Sequence, residues 1–247
     1  KWVYIHVDIA LSPGTSSDAY FKFVGLKPNQ IVRAAHAVEN DRFALSLDDT
    51  HLSCQAKRGT LAGETPITFL FAGKFEPKKN PLLLIRVFKK LYETNKNIHL
   101  VLVGDGVLKD EIITELKQLS TLNQQPFSLL PFQNQSQMPS IYRKGDVFVL
   151  PSQGPGETWG LALNEAMASS RAVIASDKCG GAADLIEDGK NGYIFNSGDE
   201  NDLFNKMQLI LEKERYIVMG KYAKEKIQHF TYRHFLDSLC AVLKIKQ

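Results

Sequence analysis

Two glutamates stand eight positions apart in the run Pro151-Ser152-Gln153-Gly154-Pro155-Gly156-Glu157-Thr158-Trp159-Gly160-Leu161-Ala162-Leu163-Asn164-Glu165. Glycine and proline hold Glu157 in a loop, and the apolar spacing that follows puts Glu165 one or two turns into a helix. Both side chains could then face one cleft. A carboxylate accepts two adjacent sugar hydroxyls, each such charge-assisted hydrogen bond being worth roughly 1.5–3 kcal/mol. Free N–H groups near Gly160 and Leu161, at the helix start, would suit a phosphate oxygen lying between them. The plainer alternatives are a helix-surface carboxylate for Glu165 and a loop charge for Glu157.

A second candidate is Gly73-Lys74-Phe75-Glu76-Pro77-Lys78-Lys79-Asn80, in which three lysines precede a helix start. Phosphate is the natural ligand there, and a solvated basic loop is the alternative. Gly104-Asp105-Gly106 and Gly180-Gly181 either admit a ligand close to the backbone or make turns. Neither is the G-x-G-x-x-G fingerprint of dinucleotide binders. Cys179 has no nearby histidine to activate it as a nucleophile. No D-x-D motif occurs, and none of the six histidines pairs at metal spacing; His229 and His234 fall on different helices. No metal or other cofactor is expected.

The elements that must position these residues alternate. Runs that read as strands are Ile67–Ala72, Ile98–Val103, Phe127–Leu130, Val147–Leu150, Ala172–Ser176 and Tyr193–Phe195. Most are continuously apolar, as strands are when helices cover both sheet faces. Helix-period segments lie between them at 81–95, 107–122, 138–144, 160–169 and 181–187, and three more helices are expected over 199–245. The expected fold class is therefore α/β, a doubly wound, parallel, Rossmann-like sheet, whose ligands bind beyond the carboxyl ends of the strands. Asn80 and Asp199 read as N-caps, Pro81 as a first helical residue, and Thr231 as the cap of the last helix. Before residue 66 the pattern changes. Residues 2–12 alternate as a strand does, Asp18–Gly25 reads as a helix stopped by its glycine, Ile31–Ala35 as a strand, and 46–66 as a linker.

The net charge of +3 is too mild for nucleic acid. The three cysteines, Cys54, Cys179 and Cys240, are odd in number and too far apart for a metal site or disulfide framework, which suits idle thiols in a reducing cytoplasm. No stretch reaches the ~18 apolar residues of a membrane span. The chain lacks an initiator methionine and begins inside what reads as structure, so a piece of a longer protein is expected.

Taken together, these motifs resemble the retaining GT-B glycosyltransferases called group 1 or family 4. The resemblance runs over residues about 67–230. Its specific part is Glu157-x7-Glu165 in PS(x)4ETWGLALNEAMA, preceded by IYRKGDVFVLPS and followed by AVIASDKCGGAADLIEDGKNGYIF. DIALSPGTSSDAYFKFVGLKPNQIVRAAHAVENDRF is similar to the end of that family's N-terminal domain and its crossover. The resemblance implies three regions: 1–66, a remnant of the acceptor domain with the linker; 67–230, the nucleotide-sugar-binding domain; and 231–247, a C-terminal helix. It makes Asp8–Ser12 a strand preceded by the tail of a helix, against the alternation of residues 2–7.

By position, the resemblance gives Lys74 and Lys79 the donor diphosphate, with Gly73 beside them, and gives Gly160 and Leu161 its backbone N–H contacts. Glu165 takes the ribose hydroxyls and Glu157 the transferred sugar. Trp159 adjoins the site, Gly104 lies near the nucleoside, and Pro131 and Phe132 lie near the base. Glu157, Lys79 and Lys74 form the catalytic set, with no metal. Departures from the family pattern are Lys74 for arginine, which loses a bidentate phosphate clamp, Trp159 for phenylalanine, Ser170 for glycine, and Pro131 where a glycine near the base is usual.

The implied activity is transfer of a sugar, with retention, from a nucleotide-diphosphate sugar (UDP or GDP first) to a glycan or lipid-linked acceptor. The acceptor would be held by the N-terminal domain, leaving this chain inactive alone. The implied location is cytoplasmic, with contact to the inner face of the membrane open to the full-length enzyme. Alternatives are a catalytically silent nucleotide-sugar binder, another GT-B enzyme such as a sugar-nucleotide epimerase, and a dehydrogenase-type binder, which lacks its fingerprint.

Overall fold

Successive side chains of a strand point to opposite faces, so a strand apolar at every position needs cover on both. In the computed structural model, which describes residues 2–44, 65–119, 125–154, 156–212 and 215–245, the inner strands have that cover, while the edge strand Phe127–Leu130 is half-buried. Strands β3 (Ile67–Ala72), β4 (Ile98–Val103), β5 (Phe127–Leu130), β6 (Val147–Leu150), β7 (Ala172–Ser176) and β8 (Gly192–Phe195) form one parallel sheet in the order β5-β4-β3-β6-β7-β8. One face buries Phe69, Phe71, Leu100, Leu102, Val147, Val149 and Ile174 under helices α3 (Pro81–Thr94), α4 (Lys109–Lys117) and α8 (Glu200–Leu211). The alternate residues Leu70, Ala72, Val101, Val103, Phe148, Leu150 and Val173 go under α5 (Met138–Tyr142), α6 (Leu161–Ala168) and α9 (Arg215–Ile227). Each fully buried large side chain contributes about 1.5–3 kcal/mol, and the two layers lock the register.

The chain starts this sheet in the middle, at β3, winds outward through β4 to β5, and crosses back to β6. Between β3 and β6 the winding reverses. The loops after these strands diverge there and leave a crevice at the strands' carboxyl ends.

A smaller unit precedes the sheet. Strand β1 (Ala10–Ser12), helix α1 (Thr15–Val24) and strand β2 (Ile31–Arg33) form a two-stranded parallel sheet with its crossover, followed by the short turn α2 (Asn40–Phe43). Gly25 ends α1 at φ 109°, where glycine carries no steric penalty. The strand expected from residue 2 begins only at Ala10. Trp2–His6 forms a 3-10 helix instead, with Val3 and Ile5 facing solvent, because an alternating pattern becomes a strand only where a partner strand lies beside it. The expected linker over 46–66 falls outside the described residues except at its last two positions. Asp199 caps α8, accepting from Asn201 and Asp202 N–H, and Thr231 Oγ1 accepts from His234 N–H ahead of α10 (Tyr232–Ile245). Asn80 precedes α3 at φ 50° without a side-chain cap, a correction to its expected role. Its left-handed backbone bends the chain sharply into Pro81.

Candidate functional site

At the reversal point lies a cleft of about 240 Å³, lined on one side by Gly73, Lys74, Gly104 and Phe132 and on the other by Tyr142, Ala162 and Glu165. Its floor is built by close backbone approach. Gly104 sits at φ 154°, and a Cβ there would lie 2.0 Å from the Gly73 carbonyl oxygen. At Gly106, φ 152°, a Cβ would lie 2.6 Å from the Phe75 carbonyl oxygen. Phe75 is buried and stacks on Phe71 at 6.2 Å, which pins the basic loop and leaves Lys74 pointing outward, 75% exposed at its side chain. The Gly104-Asp105-Gly106 run is thus both a turn and a cleft wall.

Glu165 enters from α6 with Ala162 one turn earlier on the same face. Its carboxylate is largely buried and doubly held: Tyr142 donates its hydroxyl to Oε2 at 2.7 Å, and Gln135 donates its amide to Oε1 at 2.9 Å. Burial, followed by the charge of Glu165, raises the Tyr142 phenol well above its ordinary value, so it remains a donor to the carboxylate at all working pH. Neither partner was singled out from the sequence. Tyr142 carried a weak signal, an aromatic beside Ile141 on a helix that must face the sheet; Gln135, in a polar loop, carried none.

Glu157 occupies a separate place. It is not among the residues lining the 240 Å³ cleft. Lys79 forms an ion pair with Glu157 Oε2, and Ser152 donates its hydroxyl to the same oxygen at 3.0 Å. Two of the expected site residues thus meet each other, with the Lys79 charge matched rather than open. The two loops that carry them are laced together by Gln153, whose N–H donates to the Lys78 carbonyl at 2.9 Å and whose amide donates to the Pro77 carbonyl at 2.7 Å.

Helix α6 begins at Leu161 after Gly160, which sits at φ 91°. Of its first-turn N–H groups, that of Leu163 donates to the Gly160 carbonyl at 2.8 Å, those before it precede any intrahelical acceptor, and Leu161 is half exposed. Gly160, Leu161, Pro131, Lys79, Glu157 and Trp159 are not among the residues lining the 240 Å³ cleft. The Trp159 side chain faces inward: it is 3% exposed, its indole N–H donates to Asn164 Oδ1 at 2.8 Å, and its ring packs against His36 and Phe230. A buried indole with a satisfied N–H packs as part of the core. Pro131 is exposed, and its carbonyl accepts from the Gln133 amide.

The Gly180-Gly181 turn closes on the Glu157 loop from behind. Gly180 N–H donates to the Glu157 carbonyl at 2.9 Å and Gly181 N–H to the Trp159 carbonyl at 2.8 Å; a Cβ at Gly180 would lie 2.0 Å from the Thr158 carbonyl. Cys179 is buried beneath this turn, and burial followed by the nearby Glu157 charge pushes its thiol up to about 12. That keeps it protonated and inert. On α7 (Ala182–Leu185), Asp184 receives Arg33 at 2.7 Å and both the N–H and hydroxyl of Thr15, while Arg33 also reaches Asp18. The small N-terminal unit is thereby fastened to the turn behind Glu157. Among the described residues no group of three or more His, Cys, Asp or Glu could hold a metal ion, and no helix is long and apolar enough to cross a membrane.

The comparisons with known proteins agree with this architecture. The profile of the family described as "Glycosyl transferases group 1" matches residues 55–226, well over half of the chain. A sulfoquinovosyl transferase of Arabidopsis thaliana is 32% identical over 174 residues, covering 69% of this chain and 31% of that protein. A lipopolysaccharide 1,2-N-acetylglucosaminetransferase of Salmonella typhimurium is 30% identical over 183 residues, covering 66% and 46%. Among solved structures, Anabaena HepE in complex with UDP superposes with a TM-score of 0.79 at 20% identity, over 96% of this chain and 64% of that one. The chain therefore spans about a third to a half of the curated relatives it matches and most of its length follows their fold. It belongs to the group 1 glycosyltransferases.

Proposed function

We propose that this chain is the donor-binding part of a retaining glycosyltransferase that takes a sugar from a nucleotide diphosphate and passes it to a glycan or lipid-linked acceptor held mainly by a domain outside the chain. The observation that carries the reading is the cleft at the sheet's reversal point, with a buried, oriented carboxylate on one wall and a lysine, glycine backbone and an exposed aromatic on the other. Glu165 would accept the two ribose hydroxyls and Phe132 would lie against the base. Lys74 and the first turn of α6 would take the diphosphate, and Lys79 would neutralise charge as it departs. Stabilising the leaving group by fixed positive charge and aligned N–H groups is the kind of contribution that dominates such reactions, and it needs no metal. The relatives solved with UDP and UDP-glucose make these the first probes.

Glu157 is assigned to the transferred sugar as a positioning group. One of its oxygens already receives both Lys79 and Ser152. Hydrogen bonds and a paired cation draw electron density from a carboxylate, which argues against its acting as a nucleophile. We expect Glu157→Gln to weaken binding of UDP-glucose several-fold more than binding of UDP, measured by titration calorimetry. Equal effects on both ligands would return Glu157 to the framework and favour a silent nucleotide binder.

A further inference from the structure

The two side chains that hold Glu165 are themselves held by one four-residue turn. In α2, Arg42 donates to the backbone carbonyl of Gln135 and, at 3.1 Å, to its side-chain oxygen. This fixes the amide the other way round from its alternative, with the oxygen toward the guanidinium and the NH₂ toward Glu165 Oε1. The next residue, Phe43, is buried and packs edge-on against the Tyr142 ring at 5.9 Å, and that ring presents its hydroxyl to Glu165 Oε2. Asn40 anchors the turn, donating its amide to the Ile227 carbonyl at 3.0 Å at the end of α9.

The two grips differ in kind. Tyr142 is fully buried, also packs on Phe148 at 5.5 Å, and has nowhere else to go. Gln135 is exposed and opens a 3-10 turn, Gln135–Gln137, ahead of α5, so its side-chain bond to Glu165 can open without disturbing the core. It lines the same cleft as Glu165 and occupies one of the two carboxylate oxygens.

We propose that Gln135 is a stand-in for the ribose hydroxyls, held on Glu165 by Arg42 and displaced when a nucleotide binds, whereas Tyr142, braced by Phe43, is the permanent positioning residue for the same carboxylate. The turn Asn40–Phe43 thereby ties the N-terminal unit to occupancy of the nucleoside site. This rests on the ribose role given to Glu165 above.

The test is calorimetric titration of the 247-residue chain with whichever of UDP, GDP and ADP saturates it, beside the matching 2′,3′-dideoxynucleotide. Gln135→Ala and Arg42→Ala should each tighten the ribonucleotide roughly fivefold, the factor that corresponds to releasing one hydrogen bond of about 1 kcal/mol. The double variant should gain no more than either single one, because both act through one amide. The dideoxynucleotide, which has no hydroxyls to compete for Glu165, should show no gain. Tyr142→Phe should weaken the ribonucleotide at least tenfold with an unchanged circular dichroism spectrum. Unchanged or weaker binding by Gln135→Ala, or the same gain with the dideoxynucleotide, would overturn the stand-in role while leaving the donor site intact. Failure of the wild-type chain to bind any of the three would overturn both.

Discussion

At the scale of single residues, what decides a role here is the partner rather than the residue type. Glu165 is buried and Glu157 half-buried, both carboxylates of one motif, yet Glu157 is matched by a lysine and a serine and Glu165 by a tyrosine and a glutamine. The motif made both legible as site residues. Tyr142 and Gln135 were not, because they lie 23 and 30 positions from Glu165, and although Lys79 was singled out, its pairing with Glu157, 78 positions away, was not, since spacing carries information only within an element. The inward turn of the Trp159 ring, to Asn164 and Phe230, was not legible for a related reason: both partners' placement depends on the fold rather than on the motif. The same logic governs the cysteines. Cys179 is buried, with its thiol raised to about 12 by burial and by the Glu157 charge, whereas Cys240 is exposed. A thiol whose folded value is raised stays neutral, and the neutral form does not attack alkylating reagents. Iodoacetamide at pH 8 should therefore label Cys240 and spare Cys179 in the folded protein, as read by peptide mass spectrometry; rapid labelling of Cys179 would contradict its place in the core.

At the scale of elements, the six strands were legible nearly to the residue, because burial on both faces forces continuous apolar runs that few other contexts demand. The small N-terminal unit was legible in part: the glycine that stops α1 showed, but the alternation of residues 2–7 pointed to a strand that has no partner to pair with. Element ends carry the close approaches that build the site, and these can be tested. Gly160 opens α6 at φ 91°, and a Cβ there would lie 2.5 Å from Cys179 Sγ. Gly160→Ala should destabilise the fold by roughly 2 kcal/mol or more in denaturant unfolding and shift the first turn of α6. A neutral result would mean that the turn relaxes freely. Glu187, between α7 and β8, pairs with Lys190 and with Lys226 of α9, which hold its carboxyl down from 4.5 to about 2. A depressed folded value stabilises above the ordinary value, and the contribution fades as pH falls from 4.5 through about 2. Glu187→Gln should lower the thermal midpoint at pH 7 by a small amount that shrinks in high salt and vanishes only below about pH 2. A difference of constant size across that window would assign the loss to packing instead.

At the scale of the whole molecule, the chain is a complete doubly wound sheet with a small unit fastened beside its site. The Arg33–Asp184–Thr15 network and the Asn40–Phe43 turn are the two fastenings. The first sits behind the Glu157 loop and the second behind Glu165, so each carboxylate has its own connection to the N-terminal unit. None of this was legible in the sequence, since the network joins positions more than 150 apart. A unit whose own sheet has only two short strands depends on such contacts for its stability. Asp184→Ala should speed amide hydrogen exchange over residues 10–33 while leaving β3, β4 and β6 protected. Uniform loosening would show that the two units unfold as one.

On the function proposed above, the cleft before Glu165 receives a nucleoside diphosphate without metal. Titration calorimetry of the wild-type chain and of Glu165→Ala with UDP, GDP and ADP, in the presence of a chelator, tests it most directly. We expect saturable binding of one of the three, weakened at least tenfold in the variant, since the loss of two charge-assisted hydrogen bonds exceeds 1.4 kcal/mol. Binding that is equally tight in Glu165→Ala, or that appears only when a divalent metal is restored, would contradict it.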